Sequence, residues 1–284
     1  MPWAVRDFFL YLLLINTYMK KTITFLTLFA CLAGAGYAQK KYKEIFYKDI
    51  TMEAEDFTAT TNNGFSNKEL TKFKLKIANK TNDILMYKPE ESTFKVEGKE
   101  AKPKEKILLV YPAESDFRIV NLLSADYLVT NYSFVMGGMY KVSTKGTVAE
   151  VADFKLPATS NDFEAGGFNC TMTSLTKETD KTEAKFECRY TGNKIGVIQP
   201  GKAVVKMPDG TEIANEKKSS TPIVMTKGKT EKITFKWNRM DGGKSTDMQK
   251  VNMVILFKGT FSEADAVKLK DETLNFELDP NVTK

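Results

Sequence analysis

Apolar and polar side chains alternate along several short segments of this chain, and that period of two restricts the fold more than any other feature. Residues 72–77 read Lys-Phe-Lys-Leu-Lys-Ile, 232–237 read Lys-Ile-Thr-Phe-Lys-Trp, and 274–278 read Leu-Asn-Phe-Glu-Leu. Successive side chains of a β-strand point to opposite faces, so these segments predict strands with one apolar face. Short strands of this kind bury their apolar faces by packing sheet against sheet. The pattern therefore predicts an all-β sandwich.

Turn residues separate the alternating segments. Asn-Asn-Gly occurs at 62–64, Pro-Asp-Gly at 208–210 and Asp-Gly-Gly at 241–243. The stretch 204–213 is expected to form a hairpin about Asp209 and Gly210. The remaining helix-like candidates are short, at 122–128 and 262–268.

An internal repeat relates the two halves of the chain. When Phe186 is placed over Phe73, 113 residues earlier, further matches follow in the same order. Both halves also close alike, with Asp-Phe-Lys-Leu-Pro at 153–157 and Asn-Phe-Glu-Leu-Asp-Pro at 275–280. We expect two tandem antiparallel β-sandwich domains, at 39–157 and 158–284, each long enough to bury its own core.

The N-terminal segment has the layout of a secretory signal. Met19 is followed by two lysines, an apolar run at 22–34, and small residues before a cleavage site between Ala38 and Gln39. Residues 19–38 are thus predicted as a signal peptide, and 1–18 as an upstream extension that is absent if translation starts at Met19 rather than Met1. The product would be exported to the periplasm or the cell surface. Membrane contact is expected only through the signal peptide or, alternatively, through lipidation at Cys31, which ends a Leu-Phe-Ala-Cys box.

The other two cysteines are expected to be structural. On the 113-residue offset, Cys170 and Cys188 fall on the apolar positions Phe57 and Leu75. Both cysteines alternate in phase with core neighbours, so they are predicted to meet across adjacent strands as a disulfide in an oxidising compartment. The alternative is a pair of buried free thiols.

Composition excludes several kinds of chemistry. The chain has no histidine and three cysteines, which removes imidazole catalysis and argues against zinc. A hydrolase would have to use carboxylates alone, with candidates in the acidic group Glu53, Glu55 and Asp56 or the pair Asp241 and Asp247. We expect solvated acidic loops there, and no catalytic or cofactor-binding residue.

Two loop motifs are also expected to be structural. Gly-Lys-Ser at 243–245 resembles the tail of a phosphate-binding loop, but Asn238 occupies the position that the pattern reserves for glycine. The segment 241–247 offers oxygen ligands for calcium but places Lys244 among them. The net charge of +6 is spread along the chain, which disfavours nucleic acid. No metal, nucleotide or nucleic-acid partner is therefore expected.

Aromatic and basic side chains are candidates for a binding face, although core aromatics and solvated loops are the plainer interpretation. Trp237 alternates in phase with core residues and is expected to be buried. The other aromatic and basic candidates for this face are Tyr42, Phe46, Tyr47, Tyr127, Tyr132, Tyr140, Lys217, Lys218, Lys227, Lys229 and Lys232.

The signal peptide, the two copies and the segment Phe-Lys-Leu-Lys-Ile-Ala-Asn at 73–79 resemble tandem immunoglobulin-like domains of secreted, uncharacterised bacterial envelope proteins. The chain lacks the Cys-Trp-Cys spacing of true immunoglobulin domains. The resemblance implies a non-catalytic envelope protein that binds a protein or glycan or supports an assembly. Two alternatives remain open, namely a glycan-binding accessory protein and a hydrolase that uses only carboxylates.

Overall fold

Antiparallel strands account for nearly all regular structure in this chain. The computed structural model describes residues 42–123, 128–216, 221–239 and 247–283. Within the first half the strands are β1 (Ile45–Tyr47), β2 (Ile50–Glu53), β3 (Phe57–Ser66), β4 (Leu70–Asn79), β5 (Ile84–Tyr87), β6 (Thr93–Val96), β7 (Lys99–Ala101), β8 (Leu108–Val110), β9 (Ser115–Leu123), β10 (Asn131–Met136), β11 (Met139–Val142), β12 (Thr147–Val148) and β13 (Phe154–Leu156).

The second half repeats this series. Its strands are β14 (Asp162–Ala165), β15 (Phe168–Lys177), β16 (Lys181–Tyr190), β17 (Ile195–Ile198), β18 (Val204–Lys206), β19 (Glu212–Ala214), β20 (Ile223–Met225), β21 (Thr230–Asn238), β22 (Met253–Leu256), β23 (Phe261–Ala264), β24 (Ala266–Lys268) and β25 (Glu272–Glu277). A single 3-10 turn follows β5 at Pro89–Glu91, and another follows β17 at Pro200–Lys202. Within the described ranges no helix is long and apolar enough to cross a membrane.

Strand pairing confirms the all-β, sandwich-type fold and reveals the same arrangement twice. β3, β4 and β9 are neighbours in one sheet, and β15, β16 and β21 are neighbours in another. The order β10-β6-β7 recurs as β22-β18-β19, and β11-β5-β8 recurs as β23-β17-β20. From β3 to β5 the equivalent strands begin 111 residues apart, rather than the 113 expected from Phe73 and Phe186. A slip of two residues keeps every side chain on its own face, so apolar alternation alone cannot detect it.

The last two strands of each half are exchanged between the halves. β12 pairs with β23 and β13 pairs with β22, whereas β24 pairs with β11 and β25 pairs with β10. Each half is therefore completed by strands from the other, and the chain from Glu44 to Lys284 forms one compact unit. The count of two separate domains, divided after residue 157, stays a prediction.

The exchanged strands supply core side chains on both sides. Phe276 of β25 is 1% exposed, and its ring stacks on Tyr132 at 4.5 Å and lies 4.7 Å from Phe73. Reciprocally, Phe154 and Leu156 of β13 belong to the buried cluster of the second half, which also contains Trp237. The burial of Trp237, with 0% exposure, confirms the interpretation of that residue as core.

A third apolar cluster joins the two halves. It combines Ile84, Met86 and Val142 of the first half with Val197 and Val224 of the second, all of them buried. These side chains come from β5, β11, β17 and β20, so the two sheets that contain those strands share a core. Close packing of this kind holds the halves in a defined arrangement.

Two local expectations have different outcomes. The hairpin about Gly210 is present, with Val205 paired to Ile213 and Gly210 at a φ of 88°. The helix expected at 262–268 is wrong, because this segment forms part of β23 and the whole of β24. Its Glu, Ala and Lys residues favour helix, but pairing with β17 and β11 outweighs that propensity. The helix-like segment 122–128 begins inside β9, and its residues 124–127 lie outside the described ranges.

Candidate functional site

The outward side of β4 and β9 combines lysines with exposed apolar side chains. Three lysines at alternate positions of β4, Lys72, Lys74 and Lys76, lie opposite Asn121, Ile119 and Phe117 of β9, respectively. The exposed fractions are 46% for Phe117, 49% for Ile119 and 76% for Leu123. We refer to the six residues Lys72, Lys74, Lys76, Phe117, Ile119 and Leu123 as the lysine–apolar face.

Lysine and aromatic side chains are in contact on this face. The Nζ atom of Lys74 lies 4.0 Å from the centroid of the Phe117 ring, and that of Lys72 lies 5.7 Å from the Phe65 ring. The ring of Phe46 in turn lies 5.3 Å from that of Phe65. Such cation–π contacts orient the ammonium groups without neutralising their charge.

The three lysines carry uncompensated charge. No ion pair among the described residues includes any of them. Their neighbours across β3 are Phe65, Asn62 and Thr60, which carry no charge either. Alternate residues of a strand lie about 7 Å apart, so the face presents a row of three positive charges at that spacing.

The equivalent face of the second half has the opposite character. The outward residues of β16 alternate in sign, as Glu183, Lys185, Glu187 and Arg189, and Lys185 pairs with Glu183 at 3.1 Å. In β21 the positions equivalent to Phe117, Ile119 and Leu123 hold Lys232, Thr234 and Asn238. The same framework thus carries a self-compensated polar surface in one half and a cationic, apolar surface in the other.

A cleft of about 510 Å3 opens where the two halves meet. Its apolar walls come from Met86, Leu109 and Val224, of which Met86 and Val224 belong to the third core cluster. The remaining lining residues are mostly charged or polar: Glu90, Glu105, Lys106, Ile107, Thr226 and Lys229. The volume lies within the range of about 300–1,000 Å3 that is usual for small-molecule sites.

The carboxylates considered for catalysis are held in surface contacts. Glu53 accepts hydrogen bonds from Thr58 at 2.8 Å and from Lys80 at 3.0 Å, and the Thr58 bond, followed by that of Lys80, lowers the pKa of its carboxyl group. Asp56 is ion-paired with Lys141 at 2.9 Å. A group held in its ionised form is poorly suited to act as a general acid.

The other acidic candidate, Asp247, also serves the local structure. It pairs with Lys250 at 3.4 Å and accepts a hydrogen bond from the backbone N–H of Gln249 at 3.0 Å. Its partner Asp241 and the loop motifs at 241–246 lie outside the described residues. No group of three or more potential metal ligands occurs among the residues that the structure describes.

The aromatic candidates divide between the core and the surface. Tyr47 and Tyr132 are 4% and 5% exposed, and they contact each other at 4.9 Å inside the first half. Burial raises the pKa of Tyr47 to about 12 and that of Tyr132 well above its usual value. These two candidates therefore belong to the core rather than to a binding face, in agreement with the plainer interpretation, and Phe276 of the exchanged strand β25 packs against both rings. Tyr127 lies outside the described residues.

The basic candidates of the second half have local partners. Lys229 pairs with Glu231 at 2.8 Å, and Lys227 donates to the side chain of Asn193 at 2.8 Å. Lys232 lies opposite Glu187 on β16. Lys217 and Lys218 are outside the described residues, as are the predicted signal peptide, its cleavage site at Ala38 and Gln39, and Cys31.

Cys170 and Cys188 meet as the sequence predicts. They lie opposite each other on β15 and β16, and their Sγ atoms are bonded at 2.00 Å. With the 111-residue offset, the equivalent pair in the first half is Ala59 and Ile77, which also lie opposite each other. The disulfide therefore replaces an apolar contact and serves the core rather than a reactive site.

Comparison of the chain with protein-family models and with curated proteins found no match. The candidate surfaces therefore have to be interpreted from their own chemistry. The sequence alternation that predicts β4 also places its lysines outward, but the apolar row of β9 and the cleft were missed. The sequence contained a signal for the apolar row of β9. Val120 and Leu122 occupy the buried face of this strand, so the apolar residues Phe117, Ile119 and Leu123 of the other parity had to face outward.

Proposed function

We propose that this protein is an exported, non-catalytic envelope protein that binds an acidic segment of a partner protein through the lysine–apolar face. The observation that carries the proposal is the contrast between the two halves at equivalent positions. A purely structural role would be served equally by the outward face of β4 and β9 and by that of β16 and β21, because the two sheets have the same strand order and the same buried side. Among the residues that the structure describes, only those of the first half form an exposed apolar row beside uncompensated positive charge.

The chemistry of the face favours a protein partner over a glycan. Ile119 and Leu123 are branched aliphatic side chains, which pack well against other apolar side chains but offer no flat ring for a sugar to stack on. The ring of Phe117 is exposed, but the ammonium group of Lys74 already lies over it at 4.0 Å. Exposed apolar groups beside charged ones are the usual composition of protein interfaces. Carboxylates of the partner would complement the three lysines, which would guide association and orient the complex.

Export is supported by two independent features. The N-terminal sequence has the order of a secretory signal, and the Cys170–Cys188 disulfide is compatible with an oxidising compartment outside the cytoplasm. An envelope protein with a single cationic, apolar face is suited to hold or assemble another envelope component. The absence of histidine leaves binding as the simpler role for the molecule.

The test uses variants that copy the second half onto the first. Phe117→Lys and Ile119→Thr install the residues found at the equivalent positions of β21, and Lys74→Glu reverses the central charge. The reciprocal control is Thr234→Ile, and Lys185→Glu is the control for charge reversal. The tagged full-length protein and each variant would be used for crosslinking and pull-down from envelope extracts, with captured proteins quantified by mass spectrometry.

We expect a protein captured by the wild type to be reduced at least tenfold by the three face variants and retained by both controls. Capture should also weaken as salt is raised, because exposed charges are screened beyond about 10 Å at 0.1 M ionic strength. Poly-L-glutamate should compete with the partner, whereas alginate, an anionic polysaccharide, should not. Equal capture by the face variants would contradict the proposal, and competition by alginate alone would favour the glycan-binding alternative.

A further inference from the structure

The cleft between the halves has a counterpart at the equivalent position, where a hydrogen bond bridges the two halves. Because β8 and β20 are equivalent, Tyr111 after β8 corresponds to Thr226 after β20, and Pro222 before β20 corresponds to Ile107 before β8. The Tyr111 hydroxyl donates a hydrogen bond to the carbonyl oxygen of Pro222 at 2.7 Å, which ties the two halves together there. At the other joint the equivalent hydrogen bond would have to join Thr226 to Ile107, and both of these residues line the cleft.

The difference between tyrosine and threonine accounts for the opening. A threonine side chain lacks the ring and hydroxyl with which Tyr111 reaches across the joint. Leu109 lines the cleft as a partly exposed side chain, and Met86 and Val224, at 0% and 4% exposure, form its buried floor. The two equivalent joints thus differ, with a tyrosine that bridges the halves at one and a threonine that lines the cleft at the other.

A second divergence leaves an unsatisfied acceptor on Glu105, a residue that lines the cleft. Glu105 accepts a hydrogen bond from the backbone N–H of Asn121 at 2.8 Å, just as Asn215 accepts one from the equivalent Lys236 at 2.9 Å. Asn215 uses its Nδ2 to donate to the carbonyl oxygen of Pro200 at 3.0 Å. A carboxylate has no such donor, and the Oε2 atom of Glu105 is buried without a hydrogen-bond partner among the described residues. Buried acceptors in native structures are nearly always hydrogen-bonded, so this atom lacks a donor that the described residues do not supply.

We propose that the cleft binds a short apolar peptide with free termini. The peptide ammonium group would donate to the carboxylate of Glu105. The peptide side chains would cover Leu109 and Ile107, which line the cleft above the buried Met86 and Val224. Lys229 is already paired with Glu231 at 2.8 Å, which leaves Lys106 to receive the peptide carboxylate, because no ion pair of the described residues includes Lys106. Apolar walls with a few placed polar groups are typical of specific ligand sites.

Calorimetric titration of the purified full-length protein with the dipeptides Phe-Leu and Leu-Leu tests this proposal. We expect both to bind, and we expect N-acetylation or C-terminal amidation to weaken binding at least tenfold. Thr226→Tyr, which copies the tyrosine of the equivalent joint, should abolish binding, and Glu105→Gln should weaken it at least tenfold. Thr176→Tyr, at an exposed position of β15, is the matched control and should bind as the wild type does.

The outcomes separate this site from the lysine–apolar face. Failure of both dipeptides to bind would overturn the cleft proposal, and so would binding that is unchanged by Thr226→Tyr or by N-acetylation. Trp237 fluorescence would show whether Thr226→Tyr is folded. If it is not, the weaker binding expected for the end-blocked peptides and for Glu105→Gln still tests whether the dipeptide binds in the cleft. The face variants Phe117→Lys and Ile119→Thr should leave dipeptide binding unchanged, so either proposal can fail without the other.

Discussion

Replacing Phe276 with alanine tests the strand exchange, because this side chain lies near the end of the chain but packs in the core of the first half. It is 1% exposed, and its ring contacts Tyr132 at 4.5 Å and Phe73 at 4.7 Å. Truncating a buried phenylalanine to alanine in such a core typically lowers the free energy of unfolding by about 3–5 kcal/mol. The close aromatic contacts place this case toward the upper end, at about 4–5 kcal/mol.

The expected thermal shift follows from that free energy. For a cooperative unit of about 150–250 residues, each kcal/mol lowers the Tm by roughly 2–4 °C, so Phe276→Ala should lower it by about 8–20 °C. Val267→Ala, in the exchanged strand β24, is the matched control. Val267 is 59% exposed, and its truncation should change stability by less than about 0.5 kcal/mol.

Hydrogen exchange measured by mass spectrometry locates the effect. In Phe276→Ala the added exchange should appear first in β1, β4 and β10, because Tyr47, Phe73 and Tyr132 of these strands contact the missing ring. Reciprocally, Leu156→Ala should expose β18 and β22 and should shift the fluorescence of Trp237, which shares its core. If Phe276→Ala instead loosens β18 and β22 while β10 stays protected, the exchange of strands is refuted.

Three further outcomes follow from the same structure. Replacing Cys170 and Cys188 with alanine should lower the free energy of unfolding in urea by about 3 kcal/mol, since the bond closes a loop of 18 residues' separation; unchanged stability would show that the bond contributes nothing. Burial raises the pKa of Tyr47 to about 12 from an unfolded value of about 10, so its contribution is complete below pH 10 and is lost as the pH rises to 12. Tyr47→Phe should therefore reduce the slope of unfolding free energy against pH in that window by up to about 1.4 kcal/mol per pH unit, and an unchanged slope would contradict the assignment. Gly138→Ala should destabilise the protein more than Gly98→Ala. Both glycines have positive φ, but only at Gly138 would the added Cβ lie close to a backbone oxygen, that of Lys88. Equal Tm values for the two variants would refute this expectation.

The sequence predicted the β class, the repeat, the hairpin and the cysteine pair because each depends on which face a side chain occupies. Alternation has a period of two, and for that reason it could not distinguish an offset of 111 from 113 residues. The exchange of strands was equally hidden, since Phe154 and Phe276 lie in closing segments that look alike and fit either half. Pairing had to be seen before Tyr132 could be assigned to the core.

The candidate sites were harder to predict than the fold. The lysines of β4 could be placed outward from their spacing, but the significance of Ile119 depends on a comparison with Thr234 in the equivalent strand. The cleft depends on the correct register of the repeat, because only then does Tyr111 correspond to Thr226. Both sites are differences between two similar halves, and such differences become visible only when equivalent positions are known.

Photo-crosslinking in intact cells tests the proposed function most directly. A photoreactive amino acid would be placed at Ile119 in one strain and at the equivalent Thr234 in another. The cationic, apolar character of the first position predicts crosslinks from 119 to a protein through an acidic segment, with little or no product from 234. Equal crosslinking from both positions, or crosslinking from 234 alone, would contradict the assignment of the lysine–apolar face as the binding surface.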